Sequence, residues 1–211
     1  MEITDIHTHL LPEIPGSALV CIGCGPLPDN AEGHYFSTGL HPWDVTGGDE
    51  EKFSILEDLI ADPRVLALGE CGFDTLKGPS HGLQEQAFIR QAELSERYGK
   101  PMILHIVRDF DTIIRVRKQL KPKQPWLIHG FRGNSTQLNQ LYNQGILVSF
   151  GIKHNPESLK SVPSDRLFLE TDGKCSVKEV MQLAASLRNE SVETIEQQVV
   201  RNNNRFLLQN P

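Results

Sequence analysis

Val65-Leu66-Ala67-Leu68-Gly69-Glu70 is a short apolar run that ends on a carboxylate, and its apolar character predicts a buried strand. It is followed by apolar residues with helical spacing, which are Leu83, Ala87, Phe88, Leu94 and Tyr98. A second apolar run, Pro101–His105, begins just after Gly99. A strand, a helix and a strand in this order predict a parallel βαβ unit.

The same alternation extends in both directions along the chain. Eight apolar runs are candidate strands: Ile3–His7, Ala18–Gly23, Tyr35–Leu40, Val65–Glu70, Pro101–His105, Trp126–His129, Ile146–Phe150 and Leu167–Glu170. Eight parallel strands favour a closed barrel over an open sheet. The residues from Thr8 to Ser17 hold two prolines and no helical pattern, so the first helix is expected to be reduced or absent. The fold class is therefore predicted as α/β, an irregular (β/α)8 TIM barrel, and the absence of a linker-like stretch predicts a single domain over residues 1–211.

Composition excludes several classes of protein. Lys and Arg total 21 against 27 Asp and Glu, and the net charge of -6 argues against a broad basic face for duplex DNA. The apolar runs fall far short of the ~20 residues that span a bilayer. Glu2 and Asp5 stand where a signal peptide carries Lys or Arg, so a cytoplasmic protein without membrane attachment is expected. The four cysteines form no disulfide framework, and Cys21 and Cys24 are interpreted as small buried residues.

Histidines and carboxylates recur where the predicted strands end. These residues are His7, His9, Glu70, His105, His129 and Asp172. The carboxyl ends of the strands in a parallel barrel form one face, where active sites lie, so these side chains are expected to meet. Imidazoles with carboxylates suit Zn²⁺, Mn²⁺ or iron, and Mg²⁺ where oxygen donors dominate.

The pattern suggests two ions that share one ligand. His7, His9, Glu70 and Asp172 could hold the first ion, and Glu70, His105 and His129 the second. A bridging carboxylate would place the ions about 3.5–4 Å apart, the separation used in phosphoester hydrolysis. Asp172 is also a candidate to accept a proton from the attacking water, which makes Glu70 and Asp172 the candidate catalytic residues.

Each of these residues also has a structural interpretation. The two histidines of His7-Thr8-His9 could be surface residues, His105 and His129 could lie in the core, and Glu70 and Asp172 could cap helices. Five strand ends with the same character argue against chance.

Three further residues are candidates for substrate binding. Arg108 and Arg132 follow strand ends and could contact phosphate or belong to a solvated rim. His41 precedes Pro42 and Trp43, and this segment could form a turn around a packed indole or a face on which a base stacks.

These motifs, in this order, resemble the TatD family of metal-dependent hydrolases. The matching segments are Asp5-Ile6-His7-Thr8-His9, Gly39-Leu40-His41-Pro42, Ala67–Asp74, the helix residues Gln84, Phe88 and Gln91, Pro101–His105, His129–Asn134, Leu169–Asp172 and Asn204-Arg205-Phe206. The resemblance implies a barrel of the amidohydrolase-like type, a divalent-metal site and, for several members, deoxyribonuclease activity. It carries the family's ligands onto the six strand-end residues.

The chain departs from the family pattern in places. It is shorter than usual, and its loop after His9 is abbreviated. Arg108 stands three residues after His105, where the family usually has Arg two residues after this His. Gly173-Lys174-Cys175 leads directly into a predicted helix, where the family usually has a proline-rich substrate loop.

The expected function is hydrolysis of phosphodiester bonds with one to three divalent ions (Mg²⁺, Mn²⁺ or Zn²⁺). The resemblance implies a 3'-5' exonuclease-like deoxyribonuclease, and the net charge favours short or single-stranded DNA, or a small phosphoester, as substrate. No obligate protein partner is implied. The alternatives are an amidohydrolase or lactonase on a small molecule and a metal-binding protein that has lost catalysis. Barrels of the amidohydrolase type often bridge their ions with a modified lysine, and the fourth predicted strand offers Glu70 and no Lys.

Overall fold

A computed structural model of the chain describes residues 1–208, and residues 209–211, the end of the predicted domain, lie outside the described part. The described residues contain a seven-stranded sheet in which every pair is parallel and every strand pairs with its sequence neighbours. The strands are β1 (Asp5–Thr8), β2 (Ala18–Cys21), β3 (Tyr35–Thr38), β4 (Val65–Asp74), β5 (Met102–Val107), β6 (Trp126–Ile128) and β7 (Ile146–Val148). Each overlaps one of the first seven predicted strands.

The eighth predicted strand, Leu167–Glu170, is not a regular strand, since it makes a single bridge between Leu169 and Phe150. It follows a 3-10 turn at Ser164–Arg166, and the backbone turns away at Asp172, whose φ of +53° is left-handed. The segment nevertheless closes the ring. On one side, the backbone N–H of Phe150 donates to the carbonyl of Phe168, and that of Glu170 donates to the carbonyl of Phe150. On the other side, the N–H groups of Ile6 and Asp172 donate to the carbonyls of Leu169 and His7. The architecture is an irregular TIM barrel, as predicted.

Helices cover the outside of most of this ring. They are α1 (Glu50–Ile60), α2 (His81–Tyr98), α3 (Phe110–Leu120), α4 (Ser135–Tyr142), α5 (Pro156–Ser161), α6 (Val177–Arg188) and α7 (Val192–Leu208). The described residues between β1 and β2 contain no helix, which confirms the missing first helix, and those between β2 and β3 contain none either. No helix within residues 1–208 is both long and apolar enough to cross a membrane.

The barrel interior is filled by an apolar cluster to which most strands contribute one buried side chain. It contains Ile6, Leu19, Ala67, Ile103, Leu127 and Phe168, together with Phe206 and Leu207 of α7. A larger cluster fills the space between the strands and the helices, where Phe88 of α2 meets Trp126 of β6 with ring centroids 5.2 Å apart. The apolar side chains therefore fill the barrel and its outer layer, and the polar residues lie at the carboxyl ends of the strands.

Two buried amides of α2 hold neighbouring strand ends. Gln91 accepts a hydrogen bond from the backbone N–H of Leu40 (2.8 Å) and donates to its carbonyl (3.1 Å). Gln84 makes the same pair of contacts with Asp74, at 2.8 and 3.1 Å. The helix thereby fixes the chain just before His41 and at the end of β4.

A glycine lets β4 approach β5 closely. Gly72 pairs with His105, its φ is +147°, and a Cβ there would lie 2.1 Å from the carbonyl oxygen of His105. Only a residue without a side chain fits, and the close contact brings Glu70 beside His105.

We expect Gly72→Ala to lower the free energy of unfolding by about 2–4 kcal/mol, because it adds a backbone clash to a conformation that L-residues rarely adopt. Urea unfolding measures the change. Gly82→Ala is the control, because no atom lies within 4 Å of its Cβ position. Equal stability of the two variants would contradict the tight β4–β5 contact.

We expect Gln91→Leu to lower the free energy of unfolding by about 2–4 kcal/mol, since each buried group left without a partner costs about 1–3 kcal/mol. Both polar groups of the Leu40 backbone lose their contact in this variant. The control is Gln86→Leu at an exposed position of the same helix, where we expect a change within about 0.5 kcal/mol. Similar losses in both variants would show that the amide contacts do not hold the strand end.

Candidate metal centre

The six residues predicted as metal ligands come together at the carboxyl ends of the strands. His7 lies in β1, Glu70 in β4 and His105 in β5. The remaining three, His9, His129 and Asp172, lie just beyond the ends of β1, of β6 and of the segment that closes the ring. Their convergence is the result of the parallel order of the strands.

Glu70 lies at the centre of the cluster and is almost fully buried, at 4% exposure. Its Oε1 atom lies 3.2 Å from Nε2 of His7 and 2.9 Å from Nε2 of His9. Its Oε2 atom lies 3.2 Å from Nδ1 of His105 and 2.9 Å from Nε2 of His129. Each carboxylate oxygen thus meets its own pair of imidazoles, as expected of a ligand that bridges two ions.

Asp172 belongs to the first of these two sets. Its Oδ1 atom lies 3.3 Å from Nε2 of His9 and 3.7 Å from Nε2 of His7. Its Oδ2 atom accepts a hydrogen bond from Nζ of Lys174. Lys174, which belongs to one of the segments where the chain departs from the family pattern, therefore contacts the site directly.

His41, predicted as a substrate contact, lies directly beside the cluster of predicted ligands. Its Nε2 atom is 3.7 Å from Oε2 of Glu70, and Nδ1 accepts a hydrogen bond from the backbone N–H of Trp43 at 3.2 Å. Burial and the neighbouring His105 lower the pKa of His41 to about 4. Its neutral imidazole, with Glu70 and His105, forms a third group of donors that could hold a metal.

The imidazoles around Glu70 compensate its buried negative charge. Burial alone would raise the pKa of Glu70, but the four surrounding histidines hold it well below its usual range. Asp172, Cys21 and Glu70 together raise the pKa of His9 to about 12. The site therefore favours positive charge around Glu70.

The donor set fits a divalent cation. His7 is fully buried, yet neither of its ring nitrogens has a hydrogen-bond partner, and its Nε2 atom lies 3.2 Å from Oε1 of Glu70. A buried polar atom without a partner is costly, and a metal ion takes up the lone pair of a neutral imidazole. Imidazole nitrogens and carboxylate oxygens are ligands for Zn²⁺ and Mn²⁺.

Two carboxylates outside the predicted set of ligands hold His105 and His129, the histidines that face Oε2 of Glu70. Asp74 accepts a hydrogen bond from Nε1 of Trp43 (2.7 Å) and lies 3.4 Å from Nε2 of His105. Glu170 accepts from the hydroxyl of Ser149 and lies 3.5 Å from Nδ1 of His129. Such carboxylate–histidine pairs orient metal ligands. A sequence signal existed, since Asp74 and Glu170 lie within four residues of Glu70 and Asp172.

Asp5 fixes the backbone beside His7 and Asp172 rather than an imidazole ring. Its buried carboxylate accepts hydrogen bonds from the backbone N–H of His7 (3.2 Å), and from the N–H (3.1 Å) and hydroxyl (2.7 Å) of Thr171. Burial raises the pKa of Asp5 to about 7. The residue ties β1 to the segment that carries Asp172.

Two adjoining clefts open onto the cluster. The first, of about 700 Å³, contains both predicted phosphate contacts, Arg108 and Arg132. The second, of about 560 Å³, contains His41 and the exposed indole of Trp43. Both clefts reach His105, His129, Asp172 and Lys174.

Comparison with solved structures supports the fold. The TatD homologue YjjV from Escherichia coli K12 superposes with a TM-score of 0.80 over 100% of both chains at 21% sequence identity. A TatD family hydrolase from Entamoeba histolytica gives a TM-score of 0.75 over 92% of this chain and 85% of that chain, at 18% identity. At these identities, the similarity concerns the fold alone.

Comparison of sequences identifies the family. The 3'-5' ssDNA/RNA exonuclease TatD of Pantoea ananatis is 28% identical over 205 residues, which cover 82% of this chain and 78% of that protein. The metal-dependent hydrolase YabD of Bacillus subtilis is 28% identical over 148 residues, which cover 65% of this chain and 58% of that protein. The family model for TatD-related DNases matches residues 27–208, so the chain belongs to that family.

Proposed function

We propose that this chain is a divalent-metal-dependent hydrolase of phosphodiester bonds, and a deoxyribonuclease with 3'-5' exonuclease-like polarity. The observation that carries the proposal is the position of Glu70, whose two oxygens each meet a separate pair of imidazoles. We treat residues 1–211 as one TatD-like domain. The cytoplasmic location expected from the sequence stays a prediction.

The six strand-end residues divide into two ligand sets. His7, His9 and Asp172 would hold one ion, His105 and His129 would hold the other, and Glu70 would bridge them. Divalent ions bound there would lower the pKa of a water molecule and stabilise negative charge on the phosphate oxygens. Glu70 is buried, and its two pairs of histidines come from the end of β1 and from β5 and the end of β6, so the carboxylate is held from both sides.

Asp172 is the candidate general base. Its carboxylate lies at the mouth of both clefts, where a substrate phosphate and an attacking water would meet. The hydrogen bond between the backbone N–H of Asp172 and the carbonyl of His7 (3.1 Å) orients this carboxylate. Asp172 would accept the proton of the water during attack on phosphorus.

Substrate contacts are assigned to the two clefts. Arg108 and Arg132 would bind phosphate oxygens in the first cleft, since guanidinium groups form paired hydrogen bonds with phosphate. His41 would contact substrate beside the metals in the second cleft, where a base could stack on Trp43. The net charge of -6 favours such local contacts with a short or single strand over a long duplex footprint.

The proposed substrate is also supported by the TatD relatives named as 3'-5' ssDNA/RNA exonucleases. An amidohydrolase or lactonase would use the same metals on a carbon centre. β4 carries Glu70 and no Lys, and this favours the phosphoesterase.

We expect the protein with Mg²⁺, Mn²⁺ or Zn²⁺ to cleave bis-p-nitrophenyl phosphate and to shorten 5'-labelled single-stranded DNA from its 3' end. Asp172→Asn and Glu70→Gln should each lower kcat at least about 100-fold, because the first removes the base and the second weakens the bridging ligand. The control is Asp58→Asn on an exposed part of α1. Circular dichroism checks that each variant is folded.

The proposal fails if metal-loaded protein cleaves neither substrate and the Asp172 and Glu70 variants behave like the wild type. Cleavage of carboxyl esters or amides in place of phosphodiesters would identify the small-molecule alternative. Metal binding without any turnover would identify a protein that has lost catalysis.

We expect Arg108→Ala and Arg132→Ala to raise KM for single-stranded DNA about 5–10-fold each, with kcat for bis-p-nitrophenyl phosphate little changed. Each variant should also reduce the dependence of log KM on log salt concentration by about 0.7, because one phosphate contact is lost. The measurement is KM at several salt concentrations. Arg201→Ala, an exposed position of α7, is the charge-matched control, and an equal effect there would contradict the assignment.

A further inference from the structure

Cys21 and Cys24 stand three residues apart in the sequence, and their thiols contact different parts of the backbone. Cys21 ends β2, and its thiol donates to the carbonyl of Gly69 at 3.6 Å. The thiol of Cys24 donates to the carbonyl of Gly39 at 3.5 Å. Both are free and only partly buried, so the interpretation of the two cysteines as small buried residues is wrong. The two thiols have different surroundings.

Cys21 lies against the first group of metal donors. Its Sγ, a ring nitrogen of His9 and a carboxylate oxygen of Glu70 all lie within 4.8 Å of one another. Cys21 also lines the second cleft together with these two residues. A thiolate, an imidazole and a carboxylate at such separations form a set that can share one metal ion.

A second observation places a ligand at this point. His7 has no exposed surface, and its Nε2 atom, without a hydrogen-bond partner, lies 3.2 Å from Oε1 of Glu70. Nε2 of His9 lies 2.9 Å from the same oxygen. An unpartnered buried nitrogen therefore points to the position that Cys21 borders.

We propose that Cys21 supplies a thiolate ligand to the ion held by His7, His9, Glu70 and Asp172, so that this position takes Zn²⁺ or another thiophilic divalent ion in preference to Mg²⁺. The inference rests on the metal centre of the proposed function and deepens it. Soft thiolate ligands select zinc-like ions, whereas Mg²⁺ prefers oxygen ligands. On binding, the S–H bond breaks, its proton passes to solvent and the sulfur forms the bond to the metal.

Cobalt(II) gives a readout that does not depend on hydrolysis. Bound Co²⁺ shows visible d–d bands with any ligands, and a near-ultraviolet charge-transfer band only with a thiolate. We expect the charge-transfer band in the wild type and in Cys24→Ser, and its loss in Cys21→Ser and Cys21→Ala with the d–d bands retained. Competition with a chromophoric chelator should show Zn²⁺ affinity at least about tenfold lower in both Cys21 variants, with Mg²⁺ affinity unchanged.

The outcomes separate this inference from the proposed function. Co²⁺ bound to the wild type without a charge-transfer band, or a band that survives in both Cys21 variants, overturns the role of Cys21 and leaves the metal centre standing. Loss of the charge-transfer band in Cys24→Ser alone would show that Cys24, and not Cys21, supplies the thiolate. This result also overturns the role of Cys21. Failure of the wild type to bind Co²⁺, Zn²⁺ or Mn²⁺ at all removes the metal centre itself, and the inference with it.

Discussion

The structure of the site depends on one buried carboxylate. A carboxylate without compensating charge is strongly unfavourable in a protein interior, and Glu70 is almost fully buried at the centre of the barrel mouth. Four imidazoles compensate it, two at each oxygen. Because these histidines come from β1, β5 and the end of β6, the compensation is available only when the strands are in their parallel order. The tertiary fold and the site therefore stabilise each other.

A second set of carboxylates surrounds the imidazoles. Asp74 and Glu170 lie against the outer nitrogens of His105 and His129, and Asp5 holds the backbone of His7. On this side of the cluster, each imidazole lies between an outer carboxylate, Asp74 or Glu170, and the central carboxylate of Glu70. This arrangement limits how far each ring can rotate, so the nitrogens that face Glu70 keep their direction.

The sequence predicted the barrel and the composition of the cluster because both depend on local patterns. Apolar runs mark the strands, and parallel order brings every strand end to one face. The prediction of a regular eighth strand over Leu167–Glu170 was wrong. How this segment pairs depends on backbone contacts to Phe150 on one side and Ile6 on the other, and no local sequence pattern contains these contacts. The role of Glu170 was missed for a related reason. A carboxylate that orients a histidine has the same sequence appearance as any other acidic residue.

Cys21 and Lys174 show where sequence reasoning reaches its limit. Cys21 and Cys24 were both interpreted as small buried residues, but both are partly exposed and their thiols contact different carbonyls, those of Gly69 and Gly39. Lys174 was recognised only as a departure from the family, and the left-handed turn at Asp172 and Gly173 brings its ammonium to the carboxylate of Asp172. Both contacts arise from backbone turns at the ends of elements, which have weak sequence signals.

The charge distribution connects the site to its substrate. The chain is acidic overall, so long-range attraction for DNA is weak, and a phosphate has to be bound by charges close to the metals. Arg108, Arg132 and Lys174 line the same cleft, which opens onto Asp172. Lys174 contacts Oδ2 of Asp172, whereas Oδ1 of the same carboxylate faces His7 and His9. The metal-ligand set and the cations of the cleft are therefore connected through one side chain.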